Sequence, residues 1–421
     1  MSAGSGGGGD GAGDAVRAQY EALPYPARDP EDEARRLVTG SPSHWPEMAH
    51  HLFGGRIPTN RPFRILVAGC GTGDALTMIA QQSADAGVPA TILALDLSEA
   101  AIDIARARIE ARGIADRVAF RRASLLEAPA IAEAEGPFDY IDCCGVLHHL
   151  PDPSAGFRAL ARALAPKGGM GLMVYGEFGR TGVYELQHAL KALVPGDAAP
   201  AEQAQAARAI LAELPETNRF RRNPFLKDHL DSDVGLFDLL LHSTDRAYRA
   251  DELLAEIEGA GLRLASWIDP LRYDPALYLD GGPAAERAAT LPAGERAALA
   301  EALAGNMRKH IAYVTRADAP AAGPPALSPE AVPVFRDRQT MATFHAMPDG
   351  ADRLPLTIDG LPLELPLPKG AAALARAIDG KRSLEKIRKA LPDRPDRAAF
   401  KRRFEALWRP LHGFSKLFLA R

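Results

Sequence analysis

From residue 63 onward, short apolar runs alternate with longer stretches in which apolar residues recur every three or four positions. The runs read as strands and the recurrences as amphipathic helices. "FRILVAG" predicts a first strand, and Ala75 to Ala86 the helix behind it. "ATILALD" is a second strand, after which Ser98 caps a helix with Ile102, Ala105 and Ile109 on one stripe. "RVAFRRAS" and "FDYIDCCG" are the third and fourth strands. In "PDPSAGFRALARALAPKGG", Asp152 is placed as the N-cap and Pro153 takes the first helical position. Phe157, Leu160, Ala161 and Leu164 make the buried face, and Pro166 to Gly169 stop the helix. "GMGLMVYGE" is the fifth strand. Near-continuous apolar strands separated by helices predict a parallel sheet covered on both faces.

Residues 178–247 break this rhythm; they read as mostly helical and end in "LLLHSTDRAY". The segment leaves strand five at the side where open α/β sheets bind ligands, which predicts a helical cap. A helix and strand, "ADELLAEIEGAGLRLASWI", and a last strand, "KHIAYVTR", complete the sheet. Upstream, "AVRAQYEALPYPARDPEDEARRL" predicts a short helix, a turn at Pro24–Pro26 and more polar helix, within a helical lid over residues 15–62. Residues 1–14 form a Gly-rich tail, expected to be disordered. The Pro/Ala-rich stretch 317–333 reads as a linker, and 334–421 as two short strands, two or three helices and a final strand. The expected fold is α/β: a Rossmann-like, seven-stranded sheet over residues 63–316 carrying the cap, then a small α+β domain.

Composition narrows the setting. The 421 residues carry a formal net charge of −4, too small to imply a polyanionic or membrane partner. Three cysteines, Cys70, Cys143 and Cys144, exclude a disulfide framework and favour a reducing compartment. Cys143 and Cys144 are neighbours on a strand and face opposite sides, as buried thiols would. No apolar run reaches spanning length, and the N-terminus lacks the charged and apolar regions of a signal peptide. A cytoplasmic enzyme is expected.

The chemistry begins at "ILVAGCGTGD", where Gly69, Gly71 and Gly73 alternate after a strand. A dinucleotide fingerprint, G-x-G-x-x-G, needs its third glycine at position 74, which is Asp74. Over residues 65–176 the sequence resembles the class I S-adenosylmethionine-dependent methyltransferases, on "VAGCGTGD", "LALDLS" and "FDYIDCCGVLHHLPDP" in that order. The resemblance extends over about the first three quarters of the chain. Within the class, "VLHHLPDP" looks most like the Methyltransf_11/25-type and ubiquinone-methyltransferase-like enzymes.

The resemblance implies S-adenosyl-L-methionine as cofactor. Gly69, Cys70, Gly71 and Gly73 would let backbone approach its methionyl part, and the helix start would face its carboxylate. Asp96 would accept both ribose hydroxyls, with Leu97 beside it. Ser124 and Leu125 would lie near adenine, where the family often has an acid instead of Ser124. Cys144 and Gly145 would line the methionyl side. His148 is a candidate base, its alternative being a wall beside strand four. With no third ligand at metal spacing, no metal is expected.

The acceptor must approach in line with the S–CH₃ bond, with a base only where a proton has to leave. Tyr175 and Arg246 join His148 as catalytic candidates. Tyr20, Tyr25, Glu177, Arg180, His242, Asp245 and Tyr248 are candidate acceptor contacts; Tyr20 and Tyr25 resemble a lid, or else pack in the core. No "DPPY"- or "NPPF"-like tetrapeptide follows strand four, so a small-molecule acceptor is the first expectation and a protein or peptide the second. Residues 369–421 hold fifteen Lys/Arg against five Asp/Glu, and they weakly resemble winged-helix modules that recognise peptides. This predicts a peptide-docking or dimerising element, with nucleic-acid binding or a solvated basic face as the alternatives. A non-catalytic cofactor-binding regulator and a nicotinamide oxidoreductase are the remaining alternatives.

Overall fold

The computed structural model describes residues 17–320 and 322–421, so the Gly-rich tail expected over 1–14 lies outside the described residues. The main sheet contains β1 (Phe63–Ala68), β2 (Ala90–Asp96), β3 (Val118–Arg122), β4 (Phe138–Cys144), β5 (Leu164–Gly176), β6 (Ala247–Tyr248), β7 (Leu262–Ile268) and β8 (Lys309–Arg316). Seven of these run in the order β3-β2-β1-β4-β5-β8-β7, and β6 adds two residues beside the end of β5. β8 is antiparallel to both neighbours, β5 and β7. The first five strands are parallel, as their buried runs require.

Alternation along β1 explains the two-sided core. Ile65 and Val67 pack with the helices Trp45–Leu52, Asp74–Asp85 and Glu99–Ala111 on one face. Leu66 and Ala68 pack with Ala128–Glu135, Pro153–Ala163 and Ala250–Gly259 on the other. Helix starts follow local chemistry: the Asp152 carboxylate accepts from Ala155 N–H at 3.0 Å, and Ser98 Oγ from Ala101 N–H at 3.1 Å. One boundary differs from expectation. β5 begins at Leu164, expected on the preceding helix, and not at Gly169, because the chain bulges between the pairs Phe138–Leu164 and Tyr140–Gly169 and keeps its place beside β4.

The segment after β5 folds as the helices Val183–Leu193 and Pro200–Glu213 and a π-helical turn, Phe237–Leu241, around Leu186, Leu190, Phe220 and Leu240. The C-terminal unit has a separate core that includes Phe335, Phe344, Leu374, Phe404 and Leu411. Its strand β9 (Val332–Phe335) pairs antiparallel with β12 (Leu417–Ala420). Between them lie the hairpin β10–β11 (Arg353–Ile358, Leu361–Pro366) and the helices Ala371–Ala377, Leu384–Ala390 and Arg397–Gly413. A further helix, Arg338–His345, precedes the hairpin, and these three follow it. The unit docks on the helix Trp45–Leu52, where Arg336 meets the fully buried Glu47 at 3.0 Å.

Candidate active site

The carboxyl ends of β1, β2, β4 and β5 open into one cavity of about 710 Å³. Its floor is the glycine loop. Gly69, Gly71 and Gly73 all take positive φ (85°, 50° and 96°), which only glycine adopts readily. A Cβ on Gly69 would strike Val146, and one on Gly73 would press on Ala105, so these two glycines serve packing. A Cβ on Gly71 would lie 2.9 Å from the Tyr25 carbonyl, because the N-terminal segment crosses directly above the loop. Thr72 Oγ donates to the Pro26 carbonyl at 2.7 Å and holds that crossing.

Asp74 explains why the third dinucleotide glycine is absent. Its carboxylate takes a two-pronged bond from Arg28 (2.8 and 2.6 Å) and a third from the buried Arg108 (2.8 Å). Those cations cancel its charge at a helix start that would otherwise repel an anion. Arg108 and Arg112 also grip Glu33, buried with Arg108 at 2% and 1% side-chain exposure.

Asp96 faces the cavity from the end of β2 and accepts from Gly71 N–H (2.7 Å) and Ser98 N–H (3.0 Å). Burial pushes its carboxyl up from the ordinary value, opposed by these main-chain donors. Leu97, Ala123, Leu125 and Leu126 form an apolar wall beside it, with Ser124, Cys144 and Gly145 further along. The Ser124 hydroxyl accepts from Leu126 N–H in a reciprocal cap with Glu127. Cys143 turns into the core, as strand alternation requires. A buried carboxylate for a vicinal diol, an apolar slot for a flat ring and amides at a helix start are the donor set a nucleoside joined to an amino acid needs. The residues present fit S-adenosylmethionine.

The opposite end is a polar network. Asp238, on the π-helical turn, accepts from Tyr20 OH and Tyr175 OH, both at 3.0 Å. Burial raises the Asp238 carboxyl and raises both phenols strongly. His242 Nδ1 accepts from Thr244 N–H at 3.0 Å, so its proton sits on Nε2 and is donated to Tyr20 Oη at 3.1 Å. Burial lowers this imidazole to about 2, so it stays neutral. His149 donates from Nδ1 to the Thr244 carbonyl at 2.9 Å, which leaves Nε2 as the nitrogen with a lone pair. Arg180 stacks 3.8 Å above the Tyr175 ring and pairs with Asp245 at 2.8 Å, both nearly buried.

Tyr20, Tyr25, Tyr175 and Arg180 therefore line the cavity together with the glycine loop. His242 and Asp245 stand one layer behind, holding Tyr20 and Arg180. Five further sequence candidates do not reach it. His148 is fully buried behind Tyr175, with neither nitrogen bonded and burial holding it neutral. The ring that lines the cavity is its neighbour, His149, because successive residues of the turn Leu147–His149 point different ways. Arg246 is exposed, lying over Tyr248 and 3.7 Å from Glu256. Tyr248 packs in the core, and Glu177 is exposed. Gly73 packs beneath the loop. Sequence reading missed Arg28, His149, Asp228, Asp238 and Lys309, all of which line the cavity. Asp238 had a signal, since it is the single acid inside the apolar run "VGLFDLLLH".

A methyltransferase-domain family model matches residues 66–170. An uncharacterized protein of Synechococcus sp. is 35% identical over 271 residues, 62% of this chain and 61% of its own length. A ubiquinone biosynthesis O-methyltransferase of Thiobacillus denitrificans is 30% identical over 232 residues, 52% of this chain and 92% of its own. The chain spans 61% and 55% of the first two curated relatives it matches. PKMT2 from Rickettsia typhi, solved in complex with AdoHcy, shares the fold at a TM-score of 0.60 and 16% identity, over 90% of this chain and 76% of that one. That coverage reaches into the C-terminal unit. No helix among the described residues is long and apolar enough to cross a membrane.

Proposed function

Since the chain belongs to the class I S-adenosylmethionine-dependent methyltransferases, we propose that it methylates a protic group of a small-molecule acceptor, with His149 taking the proton. The observation that carries this reading is the His149 ring. It lines the same cavity as Asp96, and its Nδ1 is committed to the Thr244 carbonyl. S-adenosylmethionine supplies an electrophilic methyl group on a sulfonium, so the protein's work is positioning and proton removal.

Asp96 would hold the ribose hydroxyls, Leu97, Ser124 and Leu125 the adenine, and Cys70, Gly71, Cys144 and Gly145 the methionyl part. Asp238 fixes Tyr20 and Tyr175 by accepting from both, so their rings wall the acceptor space in one orientation. Arg180, tied to Asp245, braces the Tyr175 face. Met173, Leu226 and Asp228 complete the lining on the acceptor side. A peptide acceptor is favoured by one contact. Arg308 lines the cavity and meets Asp359 of the C-terminal hairpin at 3.4 Å, bringing that unit to the rim.

The test is transfer from methyl-labelled cofactor into a low-molecular-weight cell extract and, separately, into a peptide library. Label is expected in a small acceptor. His149→Gln should lower kcat by about 10²–10⁴-fold, the usual worth of a positioned base, with cofactor affinity within about twofold. An unchanged kcat removes His149 as the base, and label confined to peptides overturns the small-molecule reading.

A further inference from the structure

The seam between the catalytic and C-terminal units holds three imidazoles away from the cofactor cavity. His50 and His51 end the helix Trp45–Leu52, and His412 lies near the end of Arg397–Gly413. His50 Nε2 is 3.0 Å from His412 Nε2, and the ligand-capable atoms of all three lie within 4.8 Å of one another. His51 is 1% exposed, and neither of its nitrogens has a hydrogen-bond partner. A buried polar ring left without partners is expensive, and such groups call for a ligand or another explanation.

The far side of His50 is fixed by the strand pairing. Arg336 N–H donates to the Lys416 carbonyl, so the alternation of the β9–β12 ladder turns both polar groups of Leu419 outward. Both meet His50 Nδ1, the carbonyl at 3.1 Å and the amide at 3.0 Å. The amide donates to Nδ1 and sets the ring proton on Nε2, toward His412; with an ion on Nε2 that proton moves to Nδ1, where the carbonyl accepts it. Histidines that ligate metals are held in this way, with one nitrogen on the ion and the other on a carbonyl.

We propose that His50, His51 and His412 form a binding site for a zinc-like divalent cation that pins the C-terminal unit to the catalytic unit. Three neutral nitrogens suit a borderline cation and discriminate against magnesium and calcium, which take oxygen. His412, the half-exposed member, puts the entrance on the solvent side of the seam. The sequence hid the site, because the third ligand lies far from the adjacent pair. A second trio, His149, Asp238 and His242, is also within 4.8 Å in the cavity. There Tyr20, Tyr175 and Thr244 already occupy Asp238 and His242.

The experiment uses the full chain, freed of any affinity tag, with Zn²⁺ or Mg²⁺ and two readouts: bound metal per chain and melting temperature. One Zn²⁺ per chain is expected, with a rise of several degrees at ~100-fold excess over Kd and no response to Mg²⁺. His412→Gln, at a half-exposed position, and His51→Phe, which keeps a ring in the seam, should each lose both responses. Unchanged cofactor affinity in His412→Gln shows that the fold is kept. Absence of saturable zinc uptake by the wild type overturns the proposal. Uptake that survives His412→Gln but is lost in His242→Phe also overturns it, by moving the ion to the cavity.

Discussion

The cofactor side of the cavity is drawn from short stretches, residues 69–75, 96–101 and 123–126 with Cys144 and Gly145, all at strand ends and the turns behind them. The acceptor side gathers Tyr20, His149, Tyr175, Arg180 and Asp238 from widely separated parts of the chain. The first is shaped by main chain: left-handed glycines, helix starts and one carboxylate held by two amides. The second is shaped by side chains that hold one another, with Asp238 and Asp245 as the anchors. A substitution on the first side should therefore cost affinity, and one on the second should cost stability or turnover.

The largest effect to break that contrast is expected at Arg180. Arg180→Met leaves Asp245 buried without its cation, which should destabilise the protein by about 3–5 kcal/mol in denaturant unfolding. The double variant Arg180→Met with Asp245→Leu should recover most of the loss, because neither member of the pair is then left as an unpaired buried charge. A single variant as stable as wild type would show that the acceptor wall does not depend on this pair.

On the cofactor side the cost should appear in binding. Asp96→Ala is expected to weaken S-adenosylmethionine by about 1.5–3 kcal/mol in calorimetry, about 10- to 150-fold, through lost charged hydrogen bonds. Equal affinity for variant and wild type would remove Asp96 from the cofactor site.

The smallest effect sharpens the border of the acceptor side. Arg246 stands outside the network, so Arg246→Ala should change stability and cofactor affinity by less than about 0.5 kcal/mol and leave kcat unaltered. A marked fall in kcat would extend the acceptor side to the surface around Glu256.

The same contrast decides what could be read from the chain. Apolar runs and the positions of Ser98, Asp152 and Pro153 expose the sheet and helix starts, because these depend on nearest neighbours and burial. The seven-stranded sheet follows from the family resemblance, and the glycine loop and Asp96 lie on two short motifs, "VAGCGTGD" and "LALDLS". The acceptor side depends on which of two adjacent side chains turns inward, and no motif states that. His148 and Arg246 are plausible by composition, yet a turn rotates His149 into the cavity in place of His148, and Arg246 finds Glu256 at the surface. Arg28 was illegible for another reason: its partner Asp74 is far along the sequence, and only the crossing of the N-terminal segment over the loop brings them together.

That crossing has a kinetic consequence. The segment from Tyr20 to Arg28 lies across the glycine loop, so its lifting would widen the way in for cofactor and out for product. Its outer latch is the two-pronged Arg28–Asp74 pair, 29% exposed on each side and so partly screened by solvent. Its inner anchor, Glu33 between Arg108 and Arg112, is buried, and breaking a pair of that kind costs several kcal/mol. The strip is therefore moored at Glu33 and held again at its other end, where Tyr20 bonds Asp238 and His242, so any opening starts at the solvent-facing latch between these two anchors.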